Sequence, residues 1–202
     1  GMWTILEIIF LESEQMEIRV AKDVDGNVYS TGTGSVSDAE PGPAFSLYTR
    51  SVLTEDACYF VFDAHATDGS LVDVSAIPGG FGIYRLSFRQ DADGDSEPTD
   101  LSTFYPIDPA AWILDLVPSP DRSHLLLHTV EGNAYVVTVI DCAGGQAVQR
   151  VEAAELTDEE AAFPTFYVHE EDGFFVSLVG GNMALVFRQA QDGSCELAAS
   201  FP

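Results

Sequence analysis

The sequence predicts an all-β fold of four antiparallel meander units, each about 50 residues long. Three observations predict it. The chain's three asparagines, Asn27, Asn133 and Asn182, each follow a glycine. Gly-Asn between apolar runs is a tight-turn signal, because both residues tolerate positive φ. The gap from 27 to 133 is about twice that from 133 to 182, and Gly79-Gly80 fills the middle place, so turns fall near 27, 80, 133 and 182. Each turn is followed by a strand-like run: "VYSTG", "FGIYRLSF", "AYVVTVI" and "MALVF". A β-barrel or β-sandwich is the alternative, since glycine turns serve any antiparallel sheet.

Taken in order, the units cover residues 2–44, 45–105, 106–156 and 157–202 of a single domain, 1–202. Each opens on a strand that reaches an acidic or proline-containing turn: "ESEQ" (12–15), "TEDA" (54–57), "SPDR" (119–122) and "EEDG" (170–173). The second unit carries about ten extra residues around "HATDGSLVDV". The third is the most regular: "WILDLV", "SHLLLHTV", "AYVVTVID" and "QAVQRVEA" are four strands joined by "SPDR", "EGN" and "AGG". The second and fourth units share a hairpin, "FRQDADGDSE" (88–97) against "FRQAQDGSCE" (187–196). Helix is confined to connections. "LTDEEAAF" (156–163) predicts a short helix with Thr157 as N-cap and Glu160 in the capping-box position. "DPAAW" (108–112) predicts a helical turn with Pro109 at its first position.

The run "SPDRSHLLLHTVEGNAYVVTVIDCAGGQAVQRVEA" resembles a blade of the WD40-like or YVTN-like β-propellers, and "DVDGNVYSTGTG" (23–34) is similar to the turn of sensor-type propeller repeats. The chain lacks the Gly-His…Trp-Asp pair and the Ser-x-Asp-x-Gly-x-Thr-Trp box. The resemblance therefore implies architecture alone, since propellers host many functions.

Composition narrows the partners. There are 33 acids against 8 bases, a formal net charge of −25, and Lys22 is the only lysine. Such a surface repels nucleic-acid phosphates and anionic lipid headgroups. The expected partners are a protein or a small neutral or cationic ligand, with no nucleic acid and no membrane. Three cysteines, Cys58, Cys142 and Cys195, give an odd count without CxxC spacing, which favours free thiols. No signal peptide is visible after Gly1-Met2, so a cytoplasmic location is expected.

Candidate chemistry is sparse. Asp91, Asp93, Asp95 and Glu97 alternate in "DADGDSEPTD" as a calcium loop would require. However, Gly94 stands at the fourth place of the loop, where an EF-hand needs glycine at the sixth, and Ser102 stands at the twelfth. A solvated hairpin tip is the plainer reading, and calcium is the one cofactor considered. His124 and His128 in "HLLLH" would share a metal on a helix, but on a strand they stand about 13 Å apart. No nucleophile elbow or phosphate loop is present. Asp63, Asp73 and Asp115 sit inside apolar runs, where a carboxylate facing the core is costly. "CYFVF" and "PTFYV" read as core.

With no catalytic set assembled by spacing, the expectation is a non-catalytic binding or scaffold protein. The alternative is a carboxylate-dependent hydrolase or lyase with its site at the propeller mouth. The outermost strands, "TILEIIFL" (4–11) and "CELAASF" (195–201), carry no lysine and no internal proline. They are expected to close the chain as a monomer or to pair across a homodimer edge.

Overall fold

The computed structural model describes residues 4–10, 16–22, 28–31, 44–45, 51–54, 56–65, 79–90, 92, 96–181 and 183–202. The fold is all-β and propeller-like, with four four-stranded antiparallel sheets among the described residues. The chain divides into two compact units, Gly1–Ile107 and Asp108–Pro202. No helix among the described residues is long and apolar enough to cross a membrane.

In the first unit, β1 (Thr4–Phe10), β2 (Met16–Lys22), β3 (Val28–Thr31) and β4 (Ala44–Phe45) lie in the order β3-β2-β1-β4. This departs from the expected meander. The short β4 pairs with β1 at Ile8–Phe45 and Ile9–Ala44. Its ladder occupies backbone groups that β1 would otherwise leave open, so β1 is not the edge strand that the sequence predicts. The second sheet runs in sequence order: β5 (Ser51–Leu53), β6 (Ala57–Phe62), β7 (Gly82–Gln90) and β8 (Ser96–Pro106). "CYFVF" is core as expected, with every residue of β6 buried. Phe60 stacks on Tyr84 and Phe62 on Phe81 at centroid separations of 5.7 and 5.2 Å.

The second unit contains β9 (Trp112–Pro118), β10 (His124–Glu131), β11 (Ala134–Asp141) and β12 (Ala147–Glu155) in one sheet. The other sheet is β13 (Phe166–Glu171), β14 (Phe174–Val179), β15 (Met183–Gln189) and β16 (Cys195–Phe201). The two hairpins that share "FRQ" occupy equivalent places, β7–β8 and β15–β16. At "EGN" only Gly132 takes positive φ, 60°. Asn133 contributes differently from the sequence expectation: its Nδ2 donates to Asp158 Oδ1 at 2.7 Å, tying the hairpin to the helix start. That helix, α1 (Asp158–Ala162), has the predicted capping box between Thr157 and Glu160. Gly26, Asn27 and Asn182 lie outside the described residues.

Pro109 sits in a turn, as the sequence predicts: Asp108 Oδ1 accepts from the Ala110 amide at 2.8 Å, and its carbonyl accepts from Ala111 at 2.9 Å. The chain then enters β9 directly. Glu170 and Glu171, read as part of a turn, belong to β13, and the turn is left to Asp172-Gly173.

The core of this unit is the layer between its two sheets. Leu126, Val130, Tyr135, Val137 and Val139 meet Phe175, Val179, Leu185 and Phe187. Strands β10 and β11 are buried on both faces, whereas β14 and β15 alternate between buried and more open positions. Gln149 joins the sheets by two hydrogen bonds to the Cys195 backbone, at 2.7 and 2.9 Å.

Candidate functional site

One group of polar side chains lies within that apolar layer. His128 and Asp115 are direct cross-strand partners on β10 and β9, so both project from the same face. His128 also stands opposite Val137 of the core. On the facing sheet, Ser177 pairs with Val168, and Glu170 pairs with the buried Phe175. Alternation along β13 and β14 therefore turns Glu170 and Ser177 toward the layer that holds His128.

His128, Tyr135 and Ser177 form a sealed hydrogen-bonded chain. His128 Nδ1 lies 2.8 Å from Tyr135 Oη, and the Tyr135 hydroxyl donates to Ser177 Oγ at 2.8 Å. With that phenol proton directed at Ser177, His128 donates through Nδ1, which leaves Nε2 as the unprotonated nitrogen. Nε2 is buried with no partner among the described residues. Phe166 and Phe175 pack on the imidazole at 5.3 and 5.7 Å between centroids. Burial pushes His128 down to about 3, so the ring is neutral. Burial likewise pushes the Tyr135 hydroxyl far up, offset by its bond to Ser177 and reinforced by Cys195 and Asp115.

The carboxylates stand at the wetter margin of this chain. Asp115 is half-buried and accepts from the Leu116 amide at 2.9 Å. Glu170 reaches solvent, yet desolvation and then the charge of Asp115 hold it above the usual carboxylate range. Both side chains thus stand at the margin of a dry neutral relay, with Glu170 raised toward its protonated form.

Other predicted groups lie elsewhere. Asp91, Asp93 and Asp95 of the proposed calcium loop lie outside the described residues, and the backbone of Glu97 pairs with Arg89 in β8. Asp73 also lies outside them. Asp63 is buried and accepts from the His65 amide at 2.8 Å. His124 opens β10, whereas His128 lies in its middle. Ser123 Oγ meets His124 Nδ1 at 2.7 Å but donates to Asp121 at 2.6 Å, which stabilises the "SPDR" turn rather than freeing a nucleophile. Among the described residues, no three His, Cys, Asp or Glu side chains converge on a metal position. Burial pushes the Cys58 and Cys195 thiols up to about 12 and 11, which makes them poor nucleophiles.

Three members of the cluster were missed in the sequence. Ser177 had a signal, a lone hydroxyl inside the apolar "FFVSLV". Tyr135 reads in the sequence only as part of the strand "AYVVTVID", and Glu170 as part of a turn. Tyr167 of "PTFYV" is exposed rather than core.

No family model and no curated protein matches this sequence. Solved structures of similar fold include a Lactobacillus plantarum protein, 13% identical, in which the match covers 93% of this chain and 51% of that one with a TM-score of 0.39. A Bacteroides uniformis protein described as a "putative 6-phosphogluconolactonase" is 12% identical, with 96% of this chain and 56% of that one covered and a TM-score of 0.46. The chain thus spans about half the length of either protein. The non-catalytic binding or scaffold role expected from the sequence is corrected: a set of acid–base groups that residue spacing did not reveal is brought together across two sheets.

Proposed function

We propose that the chain carries the acid–base centre of a carboxylate-dependent hydrolase of propeller-like architecture, with WD40-like or YVTN-like blades. Asp115 is the base and Glu170 the acid. The observation that carries this reading is their placement at one margin of the inter-sheet layer, where desolvation and then the charge of Asp115 raise the Glu170 carboxyl above its ordinary value. Asp115 takes a proton from a water molecule as its oxygen bonds to an ester or lactone carbonyl carbon. Glu170 gives its proton to the departing oxygen as the acyl carbon–oxygen bond breaks. The His128–Tyr135–Ser177 chain fixes the wall behind the pair and admits no competing charge. A formal charge of −25 favours neutral or cationic substrates. The three free thiols support a reducing, cytoplasmic setting.

The test is hydrolysis of a panel of neutral esters and lactones by the wild type and by Glu170→Gln and Asp115→Asn. Each variant is expected to lose about 10²–10⁴-fold in kcat. Glu170→Gln is also expected to keep or raise the melting temperature at neutral pH, because a carboxyl group with a raised folded-state pKa is destabilising when ionised. Activity that survives both substitutions, or no turnover anywhere in the panel, would count against the proposal.

A further inference from the structure

The two sheets of the second unit stack with their strands in matching order. At one edge β12 and β16 are locked by the two hydrogen bonds from Gln149 to the Cys195 backbone. At the other stand the edge strands β9 and β13. There His128, beside β9, packs on Phe166 of β13, and the charge of Asp115 reaches Glu170. Each edge strand turns three side chains toward the layer: Trp112, Asp115 and Val117 from β9, and Phe166, Val168 and Glu170 from β13. All of their cross-strand partners on β10 and β14 are buried, whereas these residues themselves keep surface open to solvent. Trp112, Val117, Phe166 and Val168 pack against the core with their inner sides. Four apolar side chains thus frame two carboxyl groups. The surrounding strands supply no base: β9, β10, β13 and β14 contain no lysine or arginine.

We infer, on the assignment of Asp115 and Glu170 as the reacting pair, that these four side chains are the specificity wall of the site and take the hydrocarbon part of an uncharged ester or lactone. Apolar walls around a few convergent polar groups are the usual make-up of a small-molecule site. A substrate carboxylate or phosphate would meet two carboxyl groups here and no cationic side chain from these strands. A polyol would turn hydroxyls against hydrocarbon and leave them without partners. A hydrocarbon group gives up only its contact with water, and each methylene it buries strengthens binding about fourfold. Trp112 and Phe166 also offer ring surface to an aryl group.

Three small carbonyl compounds that undergo no hydrolysis test the wall: phenylacetone, acetone and the phenylacetate ion. Each is titrated into methyl-labelled protein, with the nuclear magnetic resonance signals of Val117 and Val168 as the readout. Phenylacetone is expected to move both signals and to bind at least about tenfold more tightly than acetone, which lacks the ring. It is expected to exceed phenylacetate, which carries a charge beside the carboxyl groups, by a similar factor. Val168→Lys supplies the missing base and is expected to tighten phenylacetate while weakening phenylacetone; a gain for the anion cannot come from loss of folding. Signals unmoved by phenylacetone, or equal affinity for all three compounds, overturn the inference. Because none of the compounds is cleaved, the outcome is independent of catalysis. Selective phenylacetone binding without turnover of any ester would support the wall and count against the acid–base pair. Ester turnover with no preference for apolar over polyol lactones would support the pair and overturn the wall.

Discussion

His128 is the residue at which burial has the clearest energetic consequence. Its folded-state value of about 3 lies below the ordinary histidine value of 6.5, so the unfolded chain binds a proton that the folded chain refuses. Stability is therefore full above about pH 6.5 and falls as pH drops toward 3. Near pH 5 the loss amounts to about 2 kcal/mol. The lowered carboxylates Glu131 and Glu160 lose their contributions in the same direction, but they start from an ordinary value of 4.5; Glu170, which is raised, acts in the opposite sense, so the loss between 6.5 and 5 is assigned to His128. Denaturant unfolding at pH 7 and pH 5 checks this, with His128→Gln expected to flatten the slope in that window whatever its absolute stability. An equal slope in wild type and variant would assign the acid sensitivity to another group. The sequence flagged this histidine only for a metal site that its strand geometry excludes. Burial, the property that matters, depends on which side of β10 faces the β13–β16 sheet, and that becomes visible only when the two sheets meet.

Elements in the second unit are held together at turns as much as through the core. Gly193, at φ 84°, lies in the turn between β15 and β16. A Cβ there would stand 2.8 Å from Leu126 Cδ1 and 2.9 Å from Ser119 Cβ. The "SPDR" hairpin of the other sheet thus packs directly on this glycine, and the Asp121 amide donates to the Gln191 carbonyl at 2.9 Å. Gly193→Ala combines left-handed strain with overpacking and is expected to cost about 2–4 kcal/mol. A loss below about 1 kcal/mol in urea unfolding would mean that the hairpins are not so closely docked. Helix α1 acts similarly. Glu160 closes the capping box, and its Oε1 also accepts from the Gly181 amide at 3.2 Å, so the helix start is tied to the β14–β15 turn. Thr157→Ala is expected to cost about 1 kcal/mol. Glu160→Ala is expected to speed amide exchange at Gly181 without altering exchange in β10 and β11. This level of structure was the most readable in the sequence. "SPDR", "EGN", "AGG" and the Thr157–Glu160 box each carry local rules that do not depend on distant contacts. The order of the first sheet was not readable, because the two-residue β4 has no periodicity of its own and is defined only by its pairing with Ile8 and Ile9.

For the whole molecule, charge acts against compaction while the sheets provide the cohesion. The 33 acids outnumber the 8 bases, and the described ion pairs, such as Arg150 with Glu131 at 2.8 Å, lie at or near the surface, where each contributes little. Self-repulsion therefore remains largely uncompensated at neutral pH and low ionic strength. Added salt screens it over a distance that shrinks from about 30 Å at 0.01 M to about 8 Å at 0.15 M. The melting temperature is expected to rise through that range and to level off beyond it, since closer pairs are screened less. Sodium chloride and potassium chloride should act alike if screening is the cause, whereas calcium chloride at matched ionic strength would act more strongly if acids such as Asp91, Asp93 and Asp95 bind the ion directly. The measurement belongs at low protein concentration, where copies of the chain do not associate. A salt response that persists unchanged on tenfold dilution is a property of the single chain, and one that fades on dilution comes from association between copies. A melting temperature that is flat or falls with monovalent salt would show that the acids are already neutralised within the fold, contrary to their surface exposure.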